Sequence, residues 1–128
     1  MAVLGSSEPW CEAIALALNA SFVVSIDYNY LTYQHERIQT ISADQFVDFY
    51  ERSEKSFDVI LSISSVDHSG LARYSDELEP DGDLYAMTRT KSLLKPEGIL
   101  ILSVPIGPGM CSLNISMKPR LFHRCKYL

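Results

Sequence analysis

Cysteine, basic charge and long apolar runs are all scarce in this sequence. Its three cysteines, Cys11, Cys111 and Cys125, are an odd number without a C-x-x-C pair. They indicate neither a zinc site nor a disulfide framework, and they favour reduced thiols in a cytoplasmic protein. Lysine and arginine number 11 against 16 acidic residues, for a net charge of −5 and a pI of about 5.1. This balance argues against nucleic acid or an anionic membrane as a partner, because both are bound through a basic surface.

Features of membrane-spanning and secretory segments are missing as well. No run approaches the roughly 20 apolar residues that cross a bilayer. The apolar run 13–24 is interrupted by Asn19 and Ser21, and it is preceded by Glu8 and Glu12, where a secretory signal would carry positive charge. We therefore expect no membrane span and a cytoplasmic location.

The composition is that of a folded domain. Apolar residues make up 47% and charged residues 21% of the 128 residues, and a chain of this length buries about two thirds of its unfolded surface. We expect one domain over residues 1–107. An irregular tail is expected over residues 108–128, where Pro108, Gly109 and Pro119 interrupt any regular element.

Short apolar runs alternate with helical patterns along the chain. We expect strands at 1–5, 22–26, 38–41, 57–63 and 98–104, and helices after Pro9, around 46–50 and, capped by Asp83, at 83–94. In the first helix Trp10, Ala13, Ile14, Ala17 and Leu18 fall at helical spacing on one face, and we expect Trp10 to lie in the core or in a pocket wall. The alternation predicts an α/β fold with a doubly wound, mostly parallel, Rossmann-like sheet.

Polar or flexible residues follow four of the predicted strands, and ligands of such sheets bind beyond the carboxyl ends of the strands. These residues are the segment 5–8, Asp27, Asp44 and the segment 64–68. Asp27 follows Gly5 by 22 positions, close to the roughly 20 that separate a nucleotide-loop glycine from the carboxylate that binds ribose hydroxyls. Asp27 is therefore a candidate ribose ligand, and the alternative is that it only caps the next segment.

The first loop argues against a dinucleotide. A pyrophosphate needs backbone N–H groups at a helix start, whereas the loop G-S-S-E-P-W has one glycine, a proline without an N–H and the carboxylate of Glu8. A nucleoside without phosphates, such as S-adenosylmethionine, does not make this demand. Glu8 then either accepts a hydrogen bond from the ammonium group of that cofactor or is a solvated acid at the helix start.

Two segments resemble class I S-adenosylmethionine-dependent methyltransferases. The segment LLKPEGILILSVP at 93–105 resembles the turn and fifth strand of that family, and DVILSISSVDH at 58–68 resembles its fourth strand with the following acid–histidine pair. Asp27 matches the second-strand acid, and Asp44 matches the adenine-side acid after the third strand. More narrowly, SSVDHSGLARY followed by DGDL is similar to an uncharacterised methyltransferase-like family described mainly from nematodes as a domain of unknown function.

The resemblance covers about residues 2–107 and implies a site for S-adenosylmethionine. The implied cofactor-binding residues are Gly5, Glu8, Asp27, Asp44 and Ser64, and the methyl acceptor would enter over residues 64–74. Asp67 and His68 lie where a general base or a substrate contact is expected, and the alternative is a loop histidine that is hydrogen-bonded to backbone. Arg73 and Tyr74 are candidates to hold a substrate carboxylate or phosphate, unless they simply lie on the loop surface.

The sequence departs from that family in its glycine-poor first loop and at its C-terminal end. Class I methyltransferases usually add two further strands, whereas only residues 106–128 remain here, with 113–117 as the candidate for one short strand. An incomplete sheet exposes an edge, which favours self-association. The acidic run 76–83 lacks the oxygen spacing of a calcium loop, so we expect a solvated loop and no metal.

These observations favour an S-adenosylmethionine-dependent methyltransferase that acts on an unknown small-molecule or protein acceptor. The alternative is a non-catalytic relative that keeps the fold as a scaffold or partner-binding domain. A dehydrogenase-like nucleotide domain is a weaker third reading, since the first loop lacks a pyrophosphate site.

Overall fold

Five parallel strands form one sheet in the computed structural model, which describes residues 1–52, 57–71 and 78–104. The sheet order is β3-β2-β1-β4-β5. This arrangement confirms the predicted α/β, doubly wound, Rossmann-like fold. The strands are β1 (Ala2–Leu4), β2 (Val23–Asp27), β3 (Ile38–Ser42), β4 (Phe57–Ile63) and β5 (Leu94–Ser103). The helices are α1 (Trp10–Ala17), α2 (Ala43–Arg52) and α3 (Gly82–Leu93), with a short 3-10 helix at Val66–His68.

The chain builds the sheet outward in two directions from β1. β1 pairs with β2 on one side and with β4 on the other, and Val3 lies opposite both Ser25 and Leu61. The strand order therefore reverses between β1 and β4, and the chain continues from β1 to a helix on one face of the sheet and from β4 to a helix on the other. Such a switch point is where open α/β sheets bind their ligands.

Helices cover both faces of the sheet, as a parallel sheet requires. On one face α1 packs Cys11 and Ala15 against Val3 and Val23. On the opposite face α2 and α3 pack against a second core cluster, with the helix residues Phe46, Phe49 and Leu93 on the strand residues Ala2, Val24, Ile26, Ile41, Phe57 and Ile60. The continuous apolar runs of β2 and β4 supply side chains to both clusters, which is why these strands were predictable from sequence.

The predicted orientation of α1 is wrong. Trp10, Ile14 and Leu18 are 54%, 52% and 76% exposed, whereas Glu12 is 0% exposed. The physical reason is that the helix is apolar on nearly every side, so periodicity does not select its inner face, and the hydroxyl of the buried Ser25 gives Glu12 a partner inside. The outward side of α1 is therefore an exposed apolar stripe, made of Trp10, Ile14 and Leu18.

Two boundaries near the end of the described chain differ from expectation. Helix α3 begins at Gly82 rather than at Asp83, and Asp81 occupies the N-cap position without a side-chain cap hydrogen bond. Asp83 is buried in the first turn instead, where its Oδ1 accepts a hydrogen bond from the backbone N–H of Leu84. Strand β5 begins at Leu94, and its pairing with β4 shifts register between Leu94 and Ile99, because the predicted turn at 96–98 forms an irregularity within the strand.

Within the described residues β5 is an edge strand, and its Ile99 and Ile101 are exposed. The predicted tail at 108–128, with its candidate strand at 113–117, lies outside the described residues, so the expected open edge and self-association stay predictions. None of the described helices is long and apolar enough to cross a membrane.

Candidate functional site

A cavity of about 190 Å³ opens at the carboxyl ends of β1, β2 and β4. It lies at the switch point of the sheet, between the strand ends and α3. Small-molecule sites are typically about 300–1,000 Å³, so a ligand of nucleoside size would project from the mouth of this cavity. The residues that line it are Leu4, Gly5, Ile26, Asp27, Tyr28, Phe46, Ser65, Val66, Ser69, Ala86, Arg89 and Thr90.

Gly5 closes the loop after β1 against the loop after β4. Its backbone has φ +69°, a left-handed conformation that residues with a Cβ rarely adopt. Its N–H donates to the carbonyl of Ile26 at 2.8 Å, which ties the loop to β2. A Cβ added at Gly5 would overlap Oγ and Cβ of Ser65. Gly5 is therefore required by both backbone geometry and close approach, and its bare Cα leaves the backbone accessible from the cavity.

Asp27 stands at the end of β2 in a fixed orientation. Its Oδ1 accepts hydrogen bonds from the backbone N–H of Asn29 at 2.7 Å and from Nδ2 of Asn29 at 3.0 Å. Within the described residues its Oδ2 accepts no hydrogen bond. The carboxylate is thus held by a turn on one side and is available on the other, which suits a group that receives hydrogen bonds from ligand hydroxyls.

A buried polar network lies under the first loop. Glu12 accepts hydrogen bonds from Ser25 Oγ at 2.6 Å and from Ser6 Oγ at 3.0 Å. The Tyr33 hydroxyl donates to the carbonyl oxygen of Ser6 at 2.7 Å. The network therefore joins the loop after β1, helix α1, strand β2 and the β2–β3 connection, and it fixes the backbone next to Gly5.

Burial and the charge of Glu12 act on two neighbours of this network. Burial raises the pKa of the Tyr33 hydroxyl, and the nearby carboxylate of Glu12 raises it further. The same two causes, in the same order, raise the pKa of the Cys11 thiol. Cys11 is thus a buried neutral thiol packed in the core.

Helix α3 forms the wall of the cavity that faces the strand ends. Ala86, Arg89 and Thr90 lie one turn apart on the same helix side, and all three line the cavity. The Thr90 hydroxyl donates to the carbonyl of Ala86 at 2.7 Å, so its proton is already used in a hydrogen bond within the helix. Arg89 is exposed at this wall and supplies its positive charge.

The structure brings together two of the residues that the sequence singled out for cofactor binding, Gly5 and Asp27. Ser64 is exposed and has φ +46°, and its neighbour Ser65 lines the cavity in its place. Glu8 is exposed and is not among the lining residues, and its carbonyl oxygen lies 2.7 Å from Ser6 Oγ, whose single proton it shares with Glu12. Asp44 is the second residue of α2, and its side chain lies outside the described part.

The predicted catalytic pair, Asp67 and His68, lies in the 3-10 helix after β4 but does not line the cavity. His68 Nε2 and Asp67 Oδ2 are 3.7 Å apart, which is too long for a hydrogen bond. The Asp67 side chain is only 9% exposed, and its Oδ1 is buried without a hydrogen-bond partner within the described residues. The predicted substrate residues Arg73 and Tyr74 lie outside the described residues.

Several lining residues were not predicted from sequence. Ser65 lies inside the predicted strand-end segment 64–68, in which Ser64 was chosen as the ligand. Tyr28 directly follows Asp27, so extending that strand end by one position would have found it. Phe46 was assigned to a helix by its apolar spacing, and Arg89 and Thr90 carry no motif. Their placement depends on how α2 and α3 cross the sheet.

Comparison with known proteins identifies the family. Residues 1–119 match the model of the family described as Caenorhabditis protein of unknown function, DUF268. The chain therefore belongs to this family, which confirms the nematode family indicated by the segment 64–74. No curated protein and no solved structure matches the chain at a significant level.

Proposed function

We propose that the cavity at the switch point binds S-adenosylmethionine and that the chain is a methyltransferase of unknown acceptor. The observation that carries this proposal is that Gly5 and Asp27 line one cavity, with Oδ2 of Asp27 available for ribose hydroxyls. Tyr28, Ile26 and Phe46 supply the apolar and aromatic surface that a purine base requires.

The first loop supports a ligand without phosphates. Helix α1 begins at Trp10, after Pro9, which has no N–H to offer. The N–H of Trp10 donates to the carbonyl of Glu8 at 2.9 Å, so this donor is also used within the chain. Positions 9 and 10 therefore offer a pyrophosphate no free N–H group, whereas a nucleoside with a sulfonium group does not need one.

The cofactor, when bound, would supply an electrophilic methyl group whose transfer leaves a neutral thioether. Methyl transfer depends mainly on the alignment of the acceptor nucleophile with the sulfonium. The residues of the chain would accordingly hold the nucleoside, through Asp27 and the loop at Gly5, and leave the mouth of the cavity to the acceptor. Asp67 and His68 would act on the acceptor beyond the lining. This role predicts that His68→Ala lowers turnover more than cofactor affinity, and equal loss of both would contradict it.

Titration calorimetry tests the cofactor class. We expect saturable binding of S-adenosylmethionine and S-adenosylhomocysteine and none of NAD. Asp27→Ala should lower the affinity for S-adenosylhomocysteine by about 10- to 100-fold, the effect of losing hydrogen bonds to a charged group. Asp48→Ala, which removes an exposed carboxylate of α2, is the matched control and should change nothing. Equal affinities of both variants would remove Asp27 from the site.

A second candidate function, a non-catalytic partner-binding domain, is favoured by the exposed apolar stripe of α1. Trp10, Ile14 and Leu18 form a contiguous surface at helical spacing, and large exposed apolar patches commonly mark interaction sites. A folded sample that binds neither form of the cofactor would favour this function over methyl transfer.

A further inference from the structure

Arg89 is the only basic residue among the described residues that line the cavity, and Asp27 is the only acidic one. The two are contributed by different elements, α3 and β2. The cavity therefore carries one charge of each sign on a mostly apolar wall. Such a wall strengthens interactions with a ligand charge, because it lowers the local dielectric constant.

The guanidinium of Arg89 has no partner among the residues that the structure describes. Within the described residues it makes no ion pair and no side-chain hydrogen bond, although the whole chain has five more acidic than basic residues. Lys95, by comparison, pairs with Asp58 at 2.7 Å. A guanidinium presents five N–H donors in a planar fork, which matches the two oxygens of a carboxylate or the oxygens of a phosphate.

The neighbours of Arg89 restrict the anion. Asp27 lines the same cavity, and its negative charge opposes a doubly charged phosphate about twice as strongly as a singly charged carboxylate. Ala86, one turn before Arg89, lines the same cavity with a small side chain. A planar group of single charge fits this wall best.

We propose that Arg89 is the carboxylate-binding residue of this cavity. The inference rests on the proposed function, and it names a carboxylate as the ligand group that Arg89 binds. Two sources share this chemistry: the amino-acid end of the cofactor, or a methyl acceptor that is itself a carboxylic acid. In both cases Asp27 and Arg89 contact different groups of what fills the cavity.

The test compares three nucleosides on the wild type, Arg89→Met and Lys91→Met. S-adenosylhomocysteine carries a carboxylate, whereas 5′-methylthioadenosine and adenosine do not. Met keeps the length and apolar stem of the side chain without its charge, and Lys91 is an exposed cation of the same helix that does not line the cavity. If the cofactor supplies the carboxylate, Arg89→Met lowers only the affinity for S-adenosylhomocysteine, by about 10- to 100-fold, and Lys91→Met changes none.

A second arm tests the acceptor as the source. Benzoate and its uncharged analogue benzamide are titrated into the protein saturated with S-adenosylhomocysteine. If the acceptor supplies the carboxylate, the wild type binds benzoate and not benzamide, and Arg89→Met abolishes that binding while all three nucleosides bind as before.

Two results would overturn the inference. One is that Arg89→Met leaves the affinity for all three nucleosides unchanged and the wild type does not bind benzoate. The other is that it weakens the three nucleosides equally, which would make Arg89 a structural residue or a contact to the nucleoside. If the wild type binds no nucleoside, the proposed function fails by itself, and benzoate binding to the ligand-free protein, lost on Arg89→Met, would still support a carboxylate site.

Discussion

Replacing Gly5 by alanine tests the contact on which the geometry of the cavity depends. Two costs arise from different causes. A side chain at φ +69° is strained, by about 1–2 kcal/mol, and the new Cβ overlaps Oγ and Cβ of Ser65, which as overpacking costs typically about 1–3 kcal/mol. We therefore expect Gly5→Ala to lower the free energy of unfolding by about 2–5 kcal/mol.

The two costs separate in variants of Ser65. Ser65→Gly removes both overlapping atoms and leaves the Ser65 Cα at 3.6 Å from the new Cβ, an ordinary contact. In that background Gly5→Ala should cost only the conformational part, about 1–2 kcal/mol. Ser65→Ala is the matched control, because it removes Oγ but keeps the overlapping Cβ, and it should give little relief.

Urea denaturation followed by far-ultraviolet circular dichroism measures all six combinations as free energies of unfolding. The double-mutant cycle with Ser65→Gly should show a coupling energy of about 1–3 kcal/mol, equal to the overpacking cost. An equal effect of Gly5→Ala in all three Ser65 backgrounds would refute the contact between the two loops.

Three further predictions concern the groups around the site. Glu12→Ala should lower the free energy of unfolding by about 2–4 kcal/mol, because it leaves a void in the core and removes buried hydrogen bonds. Glu12→Gln keeps the shape of the side chain and should cost under about 1.5 kcal/mol. Equal urea midpoints of these two variants would contradict the buried network. Burial, and then the Glu12 carboxylate, raise the pKa of Tyr33, so the stability that depends on its neutral hydroxyl is fully present below the ordinary value of about 10 and is lost as the pH rises through the folded value. In an ultraviolet titration of the seven tyrosines, Tyr33→Phe should remove a late-titrating group, and an unchanged curve would be evidence against the burial of this hydroxyl beside Glu12. The hydrogen bond from Lys95 holds the pKa of Asp58 below its usual range, so the stability that this pair contributes is present above a pH of about 3.9 and is lost as the pH falls through the folded pKa. Lys95→Met should raise the pKa of Asp58, followed by NMR, towards its ordinary value. An unchanged titration of Asp58 would contradict the pair.

The strands were predictable because a strand that is buried on both faces has a nearly continuous run of apolar residues. The runs at 22–26 and 57–63 are nearly continuous in apolar residues, as parallel strands require. The order of elements then restricts the topology to a doubly wound sheet. Boundaries were less accurate where a local irregularity intervenes, as at Pro96 within β5.

The orientation of α1 could not be read from its sequence. Its residues are apolar on nearly every side, and Glu12 is the one ionisable group within the helix apart from the Cys11 thiol. A rule that turns charge outward selects the wrong face, since the hydroxyls of Ser6 and Ser25 satisfy the carboxylate inside. Only the three-dimensional arrangement reveals that these partners are available.

Some residues of the site could be predicted from the sequence, and others depend on helix packing. Gly5 and Asp27 follow strands directly, so their meeting at one edge of the sheet follows from the parallel fold. Arg89 is placed by the crossing of α3 over the sheet, and no local pattern around it in the sequence encodes that approach. The cavity is thus half predictable from strand ends and half dependent on helix packing.

The most direct test of the central claim is to map S-adenosylhomocysteine on the protein by NMR. In isotope-labelled protein, titration should shift the backbone amide signals of Gly5, Tyr28 and Ser65 and leave those of the exposed α1 stripe unchanged. Signals that do not move, or that move only at Trp10, Ile14 and Leu18, would contradict a nucleoside site at the switch point of the sheet.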